Sequence, residues 1–338
     1  MTGINPKMKL VSNWNDLSKL EQKPTRDGYG EGVVIAGEAD KNIVVLCCDL
    51  TESTRSLAFK KKFPERFIQL GVSEQSMVVI AGGLALAGKV PWISSYTMFC
   101  PGRAWEQVRT NLALNEVNVK IAGAHSGVSV GPDGATHQAI EDIAIMRCIP
   151  KMTVVAPCDM IETRKAVVAL SKAIGPAHIR FAREKTPVFT SEETPFILGK
   201  AEIFRDPSIN SGRAADVAII ACGPLVHNAL LAAEELSKKK IQCMVVNNHT
   251  IKPMDEKTII SVAKRCGAVV TVEEHQIMGG LGGAVAEVLA KNYPVPMEFV
   301  GVQDRFGESG NPNELIEYFG MGVSSIVEAV KKVLKRKK

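Results

Sequence analysis

The chain has 338 residues, enough for about two globular domains, and its 46% of hydrophobic residues indicates buried cores. Its net charge is +5, but aromatic residues make up only 5% of the chain, which argues against a nucleic-acid-binding surface. The sequence shows no signal peptide, no apolar run of a membrane span and no C-x-x-C pair among its eight cysteines. We therefore expect a cytoplasmic protein that contacts neither membrane nor nucleic acid.

The first half of the chain alternates short apolar runs with helical segments. The apolar runs that predict strands are residues 43–48, 117–124 and 152–156, and the predicted helices are 75–87 and 103–113. Apolar runs that are bounded by turns and separated by helices indicate parallel strands with crossover helices.

A polar segment after Arg183 separates this half from a second one of the same character. The strands predicted beyond it are residues 217–221, 243–246, 268–272 and 298–302, and the helices are 224–237 and 324–334. The sequence therefore predicts two α/β domains that are joined near residues 185–212.

Two kinds of glycine pattern in the sequence are similar to nucleotide-binding motifs but do not match them. The segment 83–89 matches G-x-x-x-x-G-K, but Val90 follows where a phosphate-binding loop needs Ser or Thr for magnesium. That segment also ends an apolar helix, where a glycine is a usual stop signal. The clusters at 28–32 and 279–283 miss the G-x-G-x-x-G spacing, so the sequence carries no dinucleotide fingerprint.

A set of polar residues follows the predicted strands or lies in their loops. Ligands of open α/β sheets bind at this edge. Each residue alone has a structural alternative, since loop acids and histidines often cap backbone groups and Glu74 could complement the dipole of the helix that follows it. The loop 131–138 is less easily explained in this way because it holds two ionisable groups among turn formers. The set consists of Asp49, Ser53, Glu74, His125, Asp133, His137 and Arg183.

The polar residues belong to a series of longer segments along the chain. These are T25-R-D-G-Y-G, D49-L-T-E-S-T, F63-P-E-R-F-I-Q-L-G-V-S-E-Q, R103-A-W-E-Q-V-R, H125-S-G-V-S-V-G-P-D-G-A-T-H-Q, I179-R-F-A-R and E273-E-H with G279-G-L-G. In this order the segments resemble the transketolase family of thiamine-diphosphate enzymes over about residues 25–330. The resemblance implies two three-layer α/β domains: a pyrimidine-binding domain at 25–190 and a transketolase C-terminal domain at 213–338, with an N-terminal extension at 1–24 and a linker at 191–212.

The resemblance assigns a cofactor role to several of these residues. Glu74 matches the glutamate that binds N1′ of the aminopyrimidine and favours the tautomer that can form the thiazolium ylide. Tyr96 and Phe99 resemble the aromatic pair that packs the pyrimidine, with core packing as the alternative. Asp49 matches the acid of the A-D-L-x-x-S motif.

The resemblance also implies a site for phosphorylated sugars. Arg26, Ser53, His125 and Arg183 match the positions that hold the sugar phosphate, and guanidinium groups suit a phosphate dianion. Asp133 and His137 match residues that contact the hydroxyl and carbonyl groups of the sugar. We count Glu74, His125 and His137 as catalytic, and predict no metal ligand in this chain. His275 is expected to be structural or to lie at a subunit contact.

One departure from the family pattern concerns the diphosphate. Single-chain relatives carry an N-terminal domain with a G-D-G motif that binds Mg²⁺ and the diphosphate, and no G-D-G occurs here. The resemblance therefore implies the C-terminal subunit of a split transketolase of the pentose phosphate pathway. Its partner would be an N-terminal subunit that carries the G-D-G motif, in an α2β2 assembly with the active sites between chains.

Three other functions remain open on the sequence. Two lie within the superfamily: a 1-deoxyxylulose-5-phosphate synthase-like subunit and the β chain of a 2-oxoacid dehydrogenase. The third is a non-catalytic partner subunit. An enzyme is favoured by the joint presence of Glu74, His125, Asp133, His137 and Arg183. An unpaired buried acid costs stability, and a non-catalytic subunit would have no need of one.

Overall fold

A computed structural model describes residues 3–337, except the side chains of residues 210 and 211. In this part of the chain the strands are β1 (Gln22–Pro24), β2 (Ile43–Cys47), β3 (Phe67–Gln69), β4 (Val90–Tyr96), β5 (Lys120–Ala124), β6 (Thr153–Val155), β7 (Ala177–Phe181), β8 (Lys185–Pro187), β9 (Glu202–Arg205), β10 (Val217–Ala221), β11 (Cys243–Asn247), β12 (Thr250–Lys252), β13 (Val269–Gln276) and β14 (Met297–Val302).

The α-helices of the same residues alternate with these strands. They are α1 (Thr25–Ala39), α2 (Leu57–Lys62), α3 (Glu74–Leu86), α4 (Trp105–Gln107), α5 (Asp142–Arg147), α6 (Met160–Lys172), α7 (Pro207–Ser211), α8 (Leu225–Lys238), α9 (Glu256–Cys266), α10 (Leu281–Asn292), α11 (Pro312–Tyr318) and α12 (Val323–Arg336). π-Helical turns at Met98–Arg103 and Val108–Ala113 flank α4. No helix in the described chain is long and apolar enough to cross a bilayer.

The first domain is built on a sheet with the strand order β12-β6-β7-β5-β4-β2-β3. Its strands are parallel except β12, which pairs antiparallel with β6. Every residue of β2 and of β5 is buried, as expected for parallel strands that are covered on both faces. The strand β12 comes from the second half of the chain, so the two domains share a strand as well as an interface.

The second domain is built on a sheet with the order β14-β13-β10-β11-β9. The edge strand β9 is antiparallel to β11, and the other neighbours are parallel. Residues 191–212, expected to be a linker, therefore contain a strand of this sheet. Both domains have the mixed α/β architecture that the sequence predicts, and each apolar run that predicts a strand contains one.

The N-terminal segment packs on the second domain although the chain continues into the first. Ile4 forms a β-bridge with Arg205, and the Asn5 amide donates to the Phe204 carbonyl at 2.9 Å. Trp14 is buried in the second core, and its carbonyl lies 2.7 Å from Nε2 of the buried His227. The N-terminal segment therefore covers β9, the edge strand of the second domain.

The glycines of the cluster at 28–32 serve helix packing. A Cβ atom at Gly28 would lie 2.2 Å from the Met160 carbonyl oxygen, and one at Gly32 would lie 2.8 Å from Cβ of Val167. Only glycine allows α1 to approach α6 this closely. The stop signal at the end of the other glycine pattern is also confirmed, because α3 ends at Leu86 and Gly88 has a φ of 85°.

Candidate active site

Adjacent strands of the first sheet lead into the predicted site residues. The strands β7, β5, β4 and β2 are neighbours and run parallel, so their carboxyl ends lie along one edge. Within two residues of these ends lie Arg183, His125, Tyr96 and Asp49. This is the edge at which open α/β sheets bind ligands.

Glu74 is the first residue of α3 and is 2% exposed. Its Oε2 accepts a hydrogen bond from Nη1 of Arg103 at 3.1 Å, and its Oε1 accepts one from the Ser95 hydroxyl at 3.4 Å. A buried carboxylate needs such donors because burial without them is costly. This role of Arg103 is not predicted from the sequence, since no sequence pattern pairs residues 74 and 103.

Four rings line the middle of this edge. The ring centres of Tyr96 and His125 lie 3.9 Å apart in a stacked arrangement, and those of Tyr96 and Phe99 lie 6.2 Å apart. His137 meets the Phe99 ring edge-on at 5.4 Å. The guanidinium carbon of Arg103 lies 4.7 Å from the Phe99 ring centre. Because Arg103 also binds Glu74, the Phe99 ring lies on the side of the site that holds the Glu74 carboxylate.

Two guanidinium groups make the site cationic next to these rings. Nη1 of Arg26 lies 3.5 Å from Nε2 of His125, and burial with the nearby charges of Arg26 and Arg183 lowers the pKa of His125 to about 3. Burial and the charge of Arg55 in turn lower the pKa of Arg26. The imidazole is therefore neutral at pH 7, and the guanidinium groups of Arg26 and Arg183 lie near it.

Asp133 and Arg183 form an ion pair at the outer rim of the site. Nη1 of Arg183 lies 3.1 Å from Oδ1 of Asp133 and 3.0 Å from the Val130 carbonyl oxygen. Nε of the same arginine lies 3.4 Å from Oε1 of Glu184. The arginine is partly exposed and shares its charge between two carboxylates, so it can exchange one of them for an anionic ligand.

Asp49 and Ser53 follow β2 but contribute differently from the other residues. The Asp49 carboxylate is exposed and accepts a hydrogen bond from Nε2 of Gln69 at 3.3 Å. Ser53 contacts Arg26 through its carbonyl oxygen, which accepts from Nη1 at 2.9 Å. The structure thus brings Glu74, His125, His137 and the arginines together, and places these two residues in the loop beside them.

The second domain supports the loop that carries Asp133 and His137. Gly127 has a φ of 86°, and a Cβ atom there would lie 2.2 Å from Oε1 of Glu274. The same carboxylate oxygen accepts a hydrogen bond from the Ser129 amide at 2.7 Å. A glycine is therefore required for Glu274 to hold the start of this loop.

The neighbours of Glu274 in the E-E-H segment have structural contacts. The Glu273 carboxylate accepts from the Leu281 and Gly282 amides at the start of α10, at 2.7 and 2.8 Å. Nδ1 of His275 lies 2.6 Å from the Gln276 carbonyl oxygen, and its Nε2 lies 3.4 Å from the Ala144 amide of the first domain. These contacts place His275 between the domains.

A buried charged network beneath the site was not predicted. Asp142 is 2% exposed and lies 3.1 Å from Nε2 of His178 and 3.0 Å from Nε of Arg180. Arg180 also donates to the Glu274 carbonyl oxygen at 3.1 Å, which connects the network to the second domain. The pKa of Asp142 falls to about 2 because the attraction of Arg180 and His178 outweighs the opposing effect of burial.

Comparison with known protein families agrees with this geometry. The family model of the transketolase pyrimidine-binding domain matches residues 21–188, and that of the transketolase C-terminal domain matches residues 209–326. A putative transketolase C-terminal section of Methanocaldococcus jannaschii is 43% identical, over 93% of this chain and 97% of that protein.

Two further comparisons extend the similarity. The 6-deoxy-6-sulfo-D-fructose transketolase subunit SqwH of a Clostridium strain is 40% identical, over 94% of this chain and 97% of that protein. A solved structure described as a split gene transketolase, inactive β4 tetramer, is 40% identical with a TM-score of 0.85, over 93% of this chain and 99% of that one. The chain therefore belongs to the thiamine-diphosphate-dependent transketolase family, and it corresponds to the C-terminal section of these enzymes.

Proposed function

We propose that this chain is the C-terminal subunit of a split transketolase, which moves a two-carbon ketol unit from a ketose phosphate to an aldose phosphate. The observation that carries the proposal is the meeting of three groups at one sheet edge. These groups are a buried carboxylate (Glu74), a set of stacked rings (Tyr96, Phe99 and His125) and a pair of arginines (Arg26 and Arg183).

The residues at this edge fit the family cofactor. Glu74 would hold the aminopyrimidine at N1′, and Phe99 and Tyr96 would pack its ring. Nδ1 of His125 is buried and has no hydrogen-bond partner within residues 3–337, which leaves a polar atom for a ligand. When bound, thiamine diphosphate supplies an electron sink for the carbanion that is left when the bond beside the ketose carbonyl breaks.

The Glu74 carboxylate would hold a proton at N1′, and Arg103 and Ser95 fix the direction of its two oxygens. His125 and His137 would donate or accept protons at the hydroxyl and carbonyl oxygens of the sugar. His125 suits this task because it is neutral at pH 7, so one ring nitrogen can donate while the other accepts. We propose that the partner chain holds most of the diphosphate and the Mg²⁺.

The arginines would bind the anionic end of the sugar. Arg26 and Arg183 approach His125 closely enough for both charges to lower its pKa, so a phosphate there would meet two guanidinium groups at once. The relative named for 6-deoxy-6-sulfo-D-fructose suggests that an anionic end, rather than phosphate alone, is what such a site requires.

The outer surface of α3 supports the proposal of a partner chain. Glu74 begins this helix, and several of the apolar side chains on or beside it are exposed: Val72 (73%), Val79 (46%), Ile80 (40%) and Leu86 (76%). An apolar surface that starts at a catalytic residue is expected where another subunit completes the site. We propose that an N-terminal subunit with a G-D-G motif covers it in an α2β2 assembly, whereas the chain alone forms an inactive oligomer.

A substrate survey of the mixed subunits tests this function. The two chains are combined with thiamine diphosphate and Mg²⁺, and turnover is measured with xylulose 5-phosphate and ribose 5-phosphate. Ketol transfer between these sugars supports the proposal. Turnover only with pyruvate and glyceraldehyde 3-phosphate would identify a synthase-like subunit instead. Decarboxylation of a 2-oxoacid alone would identify a dehydrogenase β chain. No turnover with any of these substrates would identify a non-catalytic partner subunit.

A further inference from the structure

A second buried cluster of ionisable groups lies between the domains, outside the candidate active site. Glu162 belongs to α6 of the first domain, Glu202 belongs to β9, and His249 lies between β11 and β12. One carboxylate oxygen of each glutamate and one imidazole nitrogen of the histidine all lie within 4.8 Å of one another. The three residues are 2%, 7% and 0% exposed, respectively.

The hydrogen bonds of this cluster leave two atoms without partners. Glu162 accepts from the Asn247 amide group and from the Cys158 backbone amide, both at 2.6 Å. Among the residues that the structure describes, however, neither Oε2 of Glu202 nor Nε2 of His249 has a hydrogen-bond partner. Nε2 of His249 lies 3.9 Å from Oε1 of Glu202, which is too far for a hydrogen bond.

The imidazole of His249 is held in a fixed orientation. Its Nδ1 lies 2.8 Å from the Thr250 hydroxyl, and its ring centre lies 4.2 Å from that of Phe196. With the Nδ1 proton donated to Thr250, the Nε2 lone pair is free and points at the carboxylates. Histidine ligands of metal ions are usually fixed in this way, with one nitrogen bound to a neighbour and the other to the ion.

A cation would suit the acids of this cluster. Glu162 and Glu202 place two carboxyl groups in one buried space. The ammonium group of Lys165, also on α6, is bound instead to the Ser191 and Thr194 carbonyl oxygens. A divalent ion would compensate both carboxylates at once.

We propose that Glu162, Glu202 and His249 form a structural site for a divalent transition-metal ion that joins the two domains. Two carboxylate oxygens and one imidazole nitrogen suit Zn²⁺, whereas Mg²⁺ prefers oxygen ligands alone. The ion would connect α6 to β9 and to the loop before β12, and so fix the position of the second domain under the active-site loop. This site is independent of the proposed thiamine chemistry.

Zinc binding to the full chain tests the site without thiamine diphosphate. The protein is stripped with a chelator, and binding of Zn²⁺ and of Mg²⁺ is followed by calorimetry and by the thermal midpoint. We expect one Zn²⁺ per chain, a midpoint that rises with zinc concentration, and no comparable effect of Mg²⁺. Cobalt(II) in place of zinc should give the visible absorption bands of a tetrahedral ion.

Three variants decide whether these residues bind the ion. Glu202→Gln and His249→Gln should each remove the stoichiometric binding and the shift in midpoint. Glu287→Gln, which removes an exposed interdomain ion pair with Arg147 instead, should leave both unchanged. Circular dichroism of each variant verifies that it is folded.

Two results would overturn the proposal. One is a wild-type chain that binds no zinc, together with a Glu202→Gln variant that unfolds at the same or a higher temperature. That result would make the cluster a pair of carboxyl groups that share a proton. The other is equal zinc binding by the wild type and the folded Glu202→Gln variant, which would place the ion elsewhere.

Discussion

Nη1 of Arg103 lies 3.1 Å from Oε2 of Glu74, so a half-exposed guanidinium holds a carboxylate that is almost completely buried. Arg103 ends a π-helical turn after β4, and Glu74 begins α3. The arginine also lies over the Phe99 ring. Arg103 therefore positions both Glu74, the proposed N1′ ligand, and Phe99, a ring proposed to pack on the pyrimidine. Removal of its side chain would disturb both residues.

Glu74→Gln should abolish ketol transfer by the mixed subunits while leaving the fold intact. The amide keeps the size of the side chain but cannot exchange a proton at N1′, so we expect turnover to fall by at least about 100-fold. The measurement is the steady-state rate, with circular dichroism as the test of folding. Glu106→Gln, at an exposed acid of α4, is the matched control and should keep full turnover. Near-normal turnover of the Glu74 variant would reject its role.

Arg26→Gln and Arg183→Gln should weaken binding of phosphorylated sugars selectively. A hydrogen bond to a charged group contributes about 1.5–3 kcal/mol, which corresponds to an increase in KM of about 10- to 150-fold. An unphosphorylated analogue of the same ketose has no such contact to lose, so its KM should change little. Equal losses for both substrates would mean that the arginines support the fold rather than the phosphate.

The stability of the chain should fall as the pH decreases from about 6.5 towards 3, in part because of His125. The pKa of this residue is about 3 in the folded chain and near 6.5 when it is unfolded, so the unfolded state binds a proton that the fold does not. Urea unfolding at several pH values measures this dependence. His125→Asn keeps a residue that tolerates the φ of 59° and should show a shallower dependence. Parallel curves would contradict a buried neutral histidine.

Asp142→Asn should destabilise the chain by about 3–5 kcal/mol. The substitution leaves Arg180 buried without its countercharge and weakens the contact with His178. Urea unfolding measures the change, and Glu287→Gln provides the comparison, since the exposed carboxylate of that pair should contribute less than about 1 kcal/mol. A loss as small as that of the control would show that the network is not stabilising.

Leu86→Lys should block assembly with the partner chain without unfolding this one. Leu86 is 76% exposed at the end of α3, where a positive charge complements the helix dipole. Sedimentation of the mixture measures the assembly. Leu17→Lys, at another exposed apolar residue, should assemble normally. If the Leu86 variant assembles equally well, the α3 surface is not the interface.

The sequence predicts strands in which apolar residues dominate the run, and misses β7, in which polar and apolar residues alternate. β2 and β10 are wholly apolar and are found where the runs predict them. β7 was not predicted as a strand, because it contains His178 and Arg180, which a pattern of apolar residues does not admit. Asp142 lies within 3.1 Å of both side chains and provides a countercharge for them inside the protein.

The same limit applies to the candidate site. The order of the segments along the chain indicated Glu74, His125, Arg26 and Arg183 through their match to the family pattern, and His125 follows a predicted strand. The pairing of Glu74 with Arg103, and the approach of Glu202 to Glu162 and His249, depend on how helices and sheets pack. Such long-range contacts leave no periodic trace in the sequence, so only the structure reveals them.

We propose that this chain supplies half of an active site and that a separate chain supplies the rest. The most direct measurement is ketol transfer by the chain alone, by the chain mixed with the G-D-G-bearing subunit, and by that mixture with the Glu74→Gln chain. We expect turnover only in the second sample. Turnover by the chain alone, or by the mixture with Glu74→Gln, would contradict it.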